Sequence, residues 1–290
     1  MKETSLGSRI FDFANILFMI ILCCSTLYPF LYLLSMSLSP STVSFAQIRI
    51  IPEALTLENY QQVLGYDYVI RGFINSLIRT ILGTILMVAF TVAAAFVLAK
   101  KQFPHRRFWT MFIVMTMFFS GGLIPSYLLV KDLHLMNTVW ALVLPGLVNA
   151  FQLIIARNFM MSLPEELEEA AKMDGANEIK ILIKVIIPLS MPIIATLALW
   201  NAVGHWNQWF DSLIYMTDRD NDVLQVVMRR IVLQGNMEAM NGMMPQDSSN
   251  INPETLKAAT VMVTTLPIIC VYPFVQKYFV KGMMIGSVKG

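Results

Sequence analysis

Six stretches of this chain contain no Asp, Glu, Lys or Arg: Phe13 to Ile48, Thr80 to Ala99, Phe108 to Val130, Leu133 to Ala156, Val185 to Phe210 and Ala258 to Gln276. About 20 apolar residues rising 1.5 Å each cover the roughly 30 Å hydrocarbon core of a bilayer. The first stretch is longer than a helix needs. From Ser35 it turns into SMSLSPSTVS, whose serines and proline place the helix end between Leu34 and Ser37. The second helix starts before Arg79, near Phe73. Nothing alternates with period two, which excludes a transmembrane barrel and leaves helices to satisfy the backbone in lipid. The pattern predicts an all-α membrane protein with six transmembrane helices. After the first, they fall at about 73–99, 107–130, 138–160, 189–216 and 259–277.

Composition agrees: 56% of the 290 residues are hydrophobic and 14% are charged, where soluble domains carry about a quarter charged. The net charge of +2 argues for no nucleic-acid partner. Cys23, Cys24 and Cys270 lie inside apolar stretches and read as small membrane-buried side chains, with no metal-ligand spacing or disulfide framework. The first stretch is too long for a signal peptide and no small-residue cleavage pattern closes it. Basic residues concentrate in the N-terminal tail, in KKQFPHRR at 100–107, between Arg157 and Lys184, and after Lys277. Short cytoplasmic loops attract Lys and Arg, so both termini are expected inside.

The segment SLPEELEEAAKMDGANEIKILIKVIIPLSMP, residues 162–192, carries the densest chemistry. Ser162 with Glu165 has capping-box spacing, Pro164 suits a first turn, and the glutamates complement the positive end of a helix. Leu167, Ala170 and Ala171 form an apolar face, Gly175 suits a left-handed cap, and Asn177 can cap a second short helix. A helix, turn and helix at the cytoplasmic face is predicted, with small residues that admit close approach. A plain connector lying on the membrane fits such a segment too, but its acidic run disfavours anionic lipid.

Glu169-Ala170-Ala171, three residues, Gly175, nine residues, then Val185-Ile186-Ile187-Pro188 resembles the EAA loop of ABC importer permeases, with Val185 and Ile187 as conservative departures. LTLENY (55–60), HWNQWFDSLIYM (205–216) and KYFVKGMMIGSVKG (277–290) extend the resemblance along the chain. It is nearest to carbohydrate-type permeases related to the maltose transporter's G subunit, in a branch linked to complex oligo- and polysaccharides. The resemblance implies a type I (MetI-like) transmembrane domain over residues 73–281, with an EAA coupling loop at 162–190 and an extracytoplasmic loop at 217–257. It is preceded by residues 1–72 (cytoplasmic tail, first helix, extracytoplasmic segment) and followed by a cytoplasmic tail at 282–290. Glu169, Ala170, Ala171, Gly175 and Pro188 would couple to an ATPase. Implied partners are a second homologous permease, two ATPase subunits and an extracytoplasmic binding lipoprotein or periplasmic protein, together with the bilayer and a saccharide. The implied location is the bacterial cytoplasmic membrane. The chain lacks a G-x-x-x-x-G-K-[ST] loop. The ATP and Mg are therefore assigned to the ATPase subunits, with no cofactor, metal or catalytic residue here. The tail either enters the ATPase interface or frays at the membrane.

Polar residues inside spans are costly and so draw attention. Asn201, His205, Trp206 and Asn207 of span five combine amides that bond hydroxyls with aromatics that stack on sugar rings, which suits a saccharide path. Interfacial tryptophans and interhelical polar contacts explain the same residues. Asn201 and His205, four apart, share a face. Arg79, with Asn75 one turn before it, either meets an acidic substrate, snorkels to headgroups or pairs with a neighbour. The alternatives to an importer are an ion-gradient-driven transporter, which wants paired intramembrane carboxylates, and an intramembrane enzyme using His205 with Asp211 or His134. A non-transporting assembly subunit explains the EAA loop poorly.

Overall fold

The computed structural model describes residues 6–40, 51–52, 54–232 and 253–287, and every regular element among them is helical. Residues 233–252 of the predicted outer loop, 41–50 of the segment after the first helix and 288–290 of the tail lie outside the described residues. The chain divides into two units, Met1–Asp67 with Met228–Leu266, and Tyr68–Val227 with Pro267–Gly290.

In the first unit, α1 (Leu6–Ser37) is one 32-residue helix that ends inside the predicted window. A helix end leaves carbonyls without intrahelical donors. The short α2 (Glu58–Gly65), which the LTLENY segment enters, supplies them. Asn59 is buried, and its Nδ2 donates to the carbonyls of Ser37 at 3.0 Å and Ser39 at 2.8 Å. Tyr60 Oη meets Ser37 Oγ at 2.7 Å.

In the second unit, α3 (Asp67–Ala99) is a 33-residue helix. It starts six residues before Phe73, because Asp67 suits the positive first turn and Val69 and Gly72 are buried rather than looped. The stretch predicted as one helix at 107–130 forms two, α4 (Arg106–Met115) and α5 (Leu123–Asp132). The break contains Gly121 and Gly122, and Gly122 adopts a left-handed φ of 85°. The stretch at 138–160 is bent by 55° between Val139–Gly146, opened by α6 (Val139–Val143), and α7 (Ala150–Met160). Pro145, in a 3-10 turn, interrupts it.

The 162–190 segment contains α8 (Glu166–Met173) and α9 (Glu178–Ile181). A π-helical turn over Leu182–Ile186 and the short α10 (Ile187–Leu189) follow. The chain then bends by 82° into α11 (Met191–Asn207). After a break at Gln208 and Trp209 come α12 (Phe210–Tyr215) and, past a polar turn, α13 (Leu224–Val232). The stretch predicted as one helix at 189–216 is therefore also broken. The last helix, α14 (Pro253–Ser287), begins before Ala259 and runs past Gln276.

Among the described residues, two helices are long and apolar enough to cross a membrane by themselves, Gly7–Ser37 and Asp67–Ala99, and up to four spans result if each bent pair counts as one. Val92, Ala95, Phe96 and Leu98 of α3 pack with Leu153, Ala156 and Met160 of α7 and with Ile181, Ile186 and Leu197. This core seats the 162–190 segment on the end of α3. A second cluster joins Val130 of α5, Ala141 and Leu142 of α6, and Tyr215 and Met216.

Candidate functional site

The EAA segment folds as predicted at its turn and differently at its start. Ser162 does not cap: its Oγ donates to the Phe159 carbonyl at 2.6 Å, and α8 opens after Glu165 with no side-chain cap. Glu165 instead pairs with Lys101 at 2.5 Å. At the other end Gly175 has φ +76°, the Gly175 N–H donates to the Lys172 carbonyl at 3.0 Å, and the Ala176 N–H donates to the Ala171 carbonyl at 3.0 Å. These two bonds make a Schellman cap. A Cβ on Gly175 would meet nothing within 4 Å, so conformation and not space requires glycine there. Asn177 Oδ1 accepts from the Lys180 N–H at 2.9 Å and caps α9.

The alanine pair divides. Ala171 is partly buried against the chain's own core, with Leu163, Ala176, Leu182 and Ile187. Ala170 stays exposed, and so do Leu167, Met173 (84%), Ile179 (67%) and Ile183. An apolar strip therefore faces outward, flanked by Glu166 and Glu169, which form no ion pair among the described residues. Pro188 is exposed on α10, just before the 82° bend, and Ser190 at the bend is fully buried.

What holds the segment is a residue that sequence reading used only for its charge. Lys100, one residue past α3, lies 4.3 Å from the centre of the Phe96 ring. It pairs with Glu168 of α8 at 3.1 Å and with Glu178 of α9. Lys172 also reaches Glu178, at 3.5 Å. The Lys100 hydrogen bond holds the Glu178 carboxyl below the usual carboxylate range. One cation thus ties both short helices to the long one. The KK doublet set against a glutamate-rich segment was the available signal.

The second site is a cavity of about 420 Å³ whose lining includes Gln152, Trp200, Asn201, His205, Gln208 and Asp211. The structure brings Asn201 and His205 together here, as their spacing predicts. Asn201 is 3% exposed. His205 packs so closely on α3 that a Cβ at Gly83 would lie 2.5 Å from its Nε2, which explains the glycine. Three other predicted path residues lie elsewhere. Trp206 is buried edge-on against Phe73 with ring centres 5.8 Å apart. Asn207 is exposed and donates to the Val203 carbonyl at 2.9 Å. Asn75 donates to the carbonyls of Asp220 at 2.8 Å and Asp222 at 3.0 Å.

Arg79 takes the pairing alternative. It is fully buried and binds both carboxylate oxygens of Asp211, with Nη1 to Oδ1 at 3.1 Å. Nη1 also donates to the Gln208 carbonyl at 3.0 Å. That carbonyl stands at the break between α11 and α12, so Arg79 satisfies the acceptor the broken helix leaves open.

Comparison with known proteins fits this architecture. The chain belongs to the family of binding-protein-dependent transport system inner membrane components, which it matches over residues 5–285. It is 42% identical to protein LplC of Bacillus subtilis (strain 168), over 100% of this chain and 98% of that one. It is 36% identical to the polygalacturonan/rhamnogalacturonan transport system permease protein YtcP of the same organism, over 98% of this chain and 99% of the relative. Among solved structures it resembles a chain of a bacterial ABC transporter involved in the import of the acidic polysaccharide alginate. The TM-score is 0.89 at 31% identity, covering 96% of this chain and 100% of the other.

Proposed function

We propose that this chain is a permease subunit of an ATP-driven, binding-protein-dependent importer, forming half of the pathway for an oligo- or polysaccharide. Family membership supports the permease role. The saccharide rests on relatives whose names refer to polygalacturonan, rhamnogalacturonan and alginate. In this reading the chain lies in a bacterial cytoplasmic membrane with six spans, both termini inside and its transmembrane domain over 73–281. It works with a second homologous permease, two ATPase subunits that hold ATP and Mg, and an extracytoplasmic binding protein.

The observation that carries the coupling role is the outward apolar strip on a helix pair pinned from behind by Lys100. Leu167, Ala170, Met173 and Ile179 would seat in a cleft of the ATPase, with Glu169 meeting a basic residue there and Gly175 permitting the turn. When ATP closes the ATPase dimer, the seated helices move as one piece. Lys100 passes that movement to α3, and the bend after Pro188 passes it to α11. A contact of equal strength in both states shifts nothing, so the seat must favour one of them.

Uptake decides the reading. Cells lacking this gene are given radiolabelled galacturonate oligomers and neutral oligosaccharides, with and without the gene restored. Uptake of at least one saccharide is expected to vanish and return. Unchanged uptake of the whole panel contradicts the assignment.

A further inference from the structure

We propose that Arg106 and Arg157 hold the phosphate of an anionic phospholipid, at the corner where the end of α3, the start of α4 and the end of α7 meet. This rests on the membrane-permease reading above, with the corner at the cytoplasmic leaflet, and adds a lipid ligand to it.

Arg106 opens α4, and Arg157 lies in the last turn of α7. The two helices pack together, close enough for the Arg106 charge to act on Arg157. Arg157 donates its Nε to the Leu98 carbonyl at 3.1 Å, so an open acceptor in the last turn of α3 fixes its head. Its two Nη groups have no acceptor among the described residues, and neither is enclosed. Arg106 is partly exposed as well. Its Nη1 is enclosed and plays no part, while Nε and Nη2 stay accessible without an acceptor. Two guanidinium groups side by side repel, and neither forms an ion pair among the described residues. Glu165, Glu168 and Glu178 of the neighbouring segment are taken by Lys100 and Lys101. An anion shared by the two arginines removes the repulsion, and guanidinium nitrogens match phosphate oxygens in geometry.

The source of that anion follows from α4. No charged residue comes after Arg107 in this helix. Phe108, Trp109 and Phe112 are exposed and pack ring against ring. Exposed aromatic rings of this kind sit at the bilayer interface, so the arginine beside them lies at headgroup depth. Basic pockets between helices on the cytoplasmic side take anionic headgroups. The same corner carries the 162–190 segment, because Leu98, Met160 and Ile113 share one core with Ile181 and Ala171. A bound headgroup therefore braces the helices on which that segment sits.

The test uses the full chain, purified with its co-expressed neighbouring gene products and placed in phosphatidylcholine nanodiscs containing a minor share of phosphatidylglycerol. Native mass spectrometry counts the lipid that stays bound. Phosphatidylglycerol should be retained in preference to phosphatidylcholine. Arg106→Gln and Arg157→Gln should each lower that retention about fivefold, the effect of one basic residue at an anionic surface. Arg107→Gln removes the same charge from the exposed face of α4 and should change retention little. Arg106→Lys keeps the charge and should keep most of the retention, which separates loss of the site from misfolding. Retention indifferent to both glutamine variants, equal retention of phosphatidylcholine, or displacement of the lipid by inorganic phosphate would overturn the site. So would loss of a co-purifying ATPase from the glutamine variants with lipid retention unchanged, since the arginines would then face that subunit. Radiolabelled uptake, measured separately, decides the permease reading, so the two can fail independently.

Discussion

At the scale of single residues, the pair between fully buried Arg79 and mostly buried Asp211 is the most informative contact in the fold. Charges largely withdrawn from water are tolerable only when paired, and here the two Nη groups of Arg79 meet both Asp211 oxygens and a broken-helix carbonyl, while Arg79 Nε has no hydrogen-bond partner among the described residues. Removing one partner strands the other. Arg79→Met alone should cost about 3–5 kcal/mol, and Asp211→Leu alone a similar amount. The double variant Arg79→Met/Asp211→Leu should recover most of that loss, because an apolar pair leaves no buried charge. Denaturant unfolding of the detergent-solubilised protein in a double-mutant cycle checks this, and additive losses would contradict the pairing. Both residues stand out in the sequence, one as an arginine in a span and the other as an acid at a span end. Their partnership does not, because 132 residues separate them and only the fold joins them.

At the scale of elements, the 162–190 segment was largely legible because local chemistry writes it. Gly175 and Asn177 act through their own backbone neighbours, so their sequence signals hold. Ser162 and Glu165 do not form a capping box: α8 starts at Glu166, Ser162 Oγ donates back to the Phe159 carbonyl, and the Glu165 carboxylate pairs with Lys101 in the turn after α3. The π turn and the breaks at 116–122 and 208–209 were not legible, since an apolar stretch reads the same whether its helix is whole or broken.

Lys100 gives this scale its prediction. Its bond holds the Glu178 carboxyl low, so that contribution is complete above the ordinary glutamate value near 4.3 and is lost as pH falls through the lower folded value. Glu178 is half exposed, at 55%, so the contribution itself is small, up to about 1 kcal/mol. Lys100→Met should raise hydrogen exchange across α8 and α9 at neutral pH, while Lys100→Arg keeps most of the protection. Wild-type protection should also fall in acid, and Lys100→Met should show a smaller fall. An exchange pattern untouched by Lys100→Met would remove it as the anchor.

At the scale of the whole molecule, hydropathy was enough to define an all-helical membrane protein, and the family follows from the EAA spacing as well as from the match over residues 5–285. Purification tests the coupling role most directly. The chain is extracted in mild detergent with its neighbouring genes co-expressed, beside a Glu169→Lys/Gly175→Trp variant. Gly175 has open space beside it within this chain, so the strain from tryptophan falls on the cap and its bulk on the face proposed to meet the ATPase. Insertion into the membrane should be unaffected. An ATPase should co-purify with the native chain in stoichiometric amount and be lost from the variant. An ATPase that stays bound to the variant, or none with the native chain even when nucleotide is present, would contradict the coupling role of this loop.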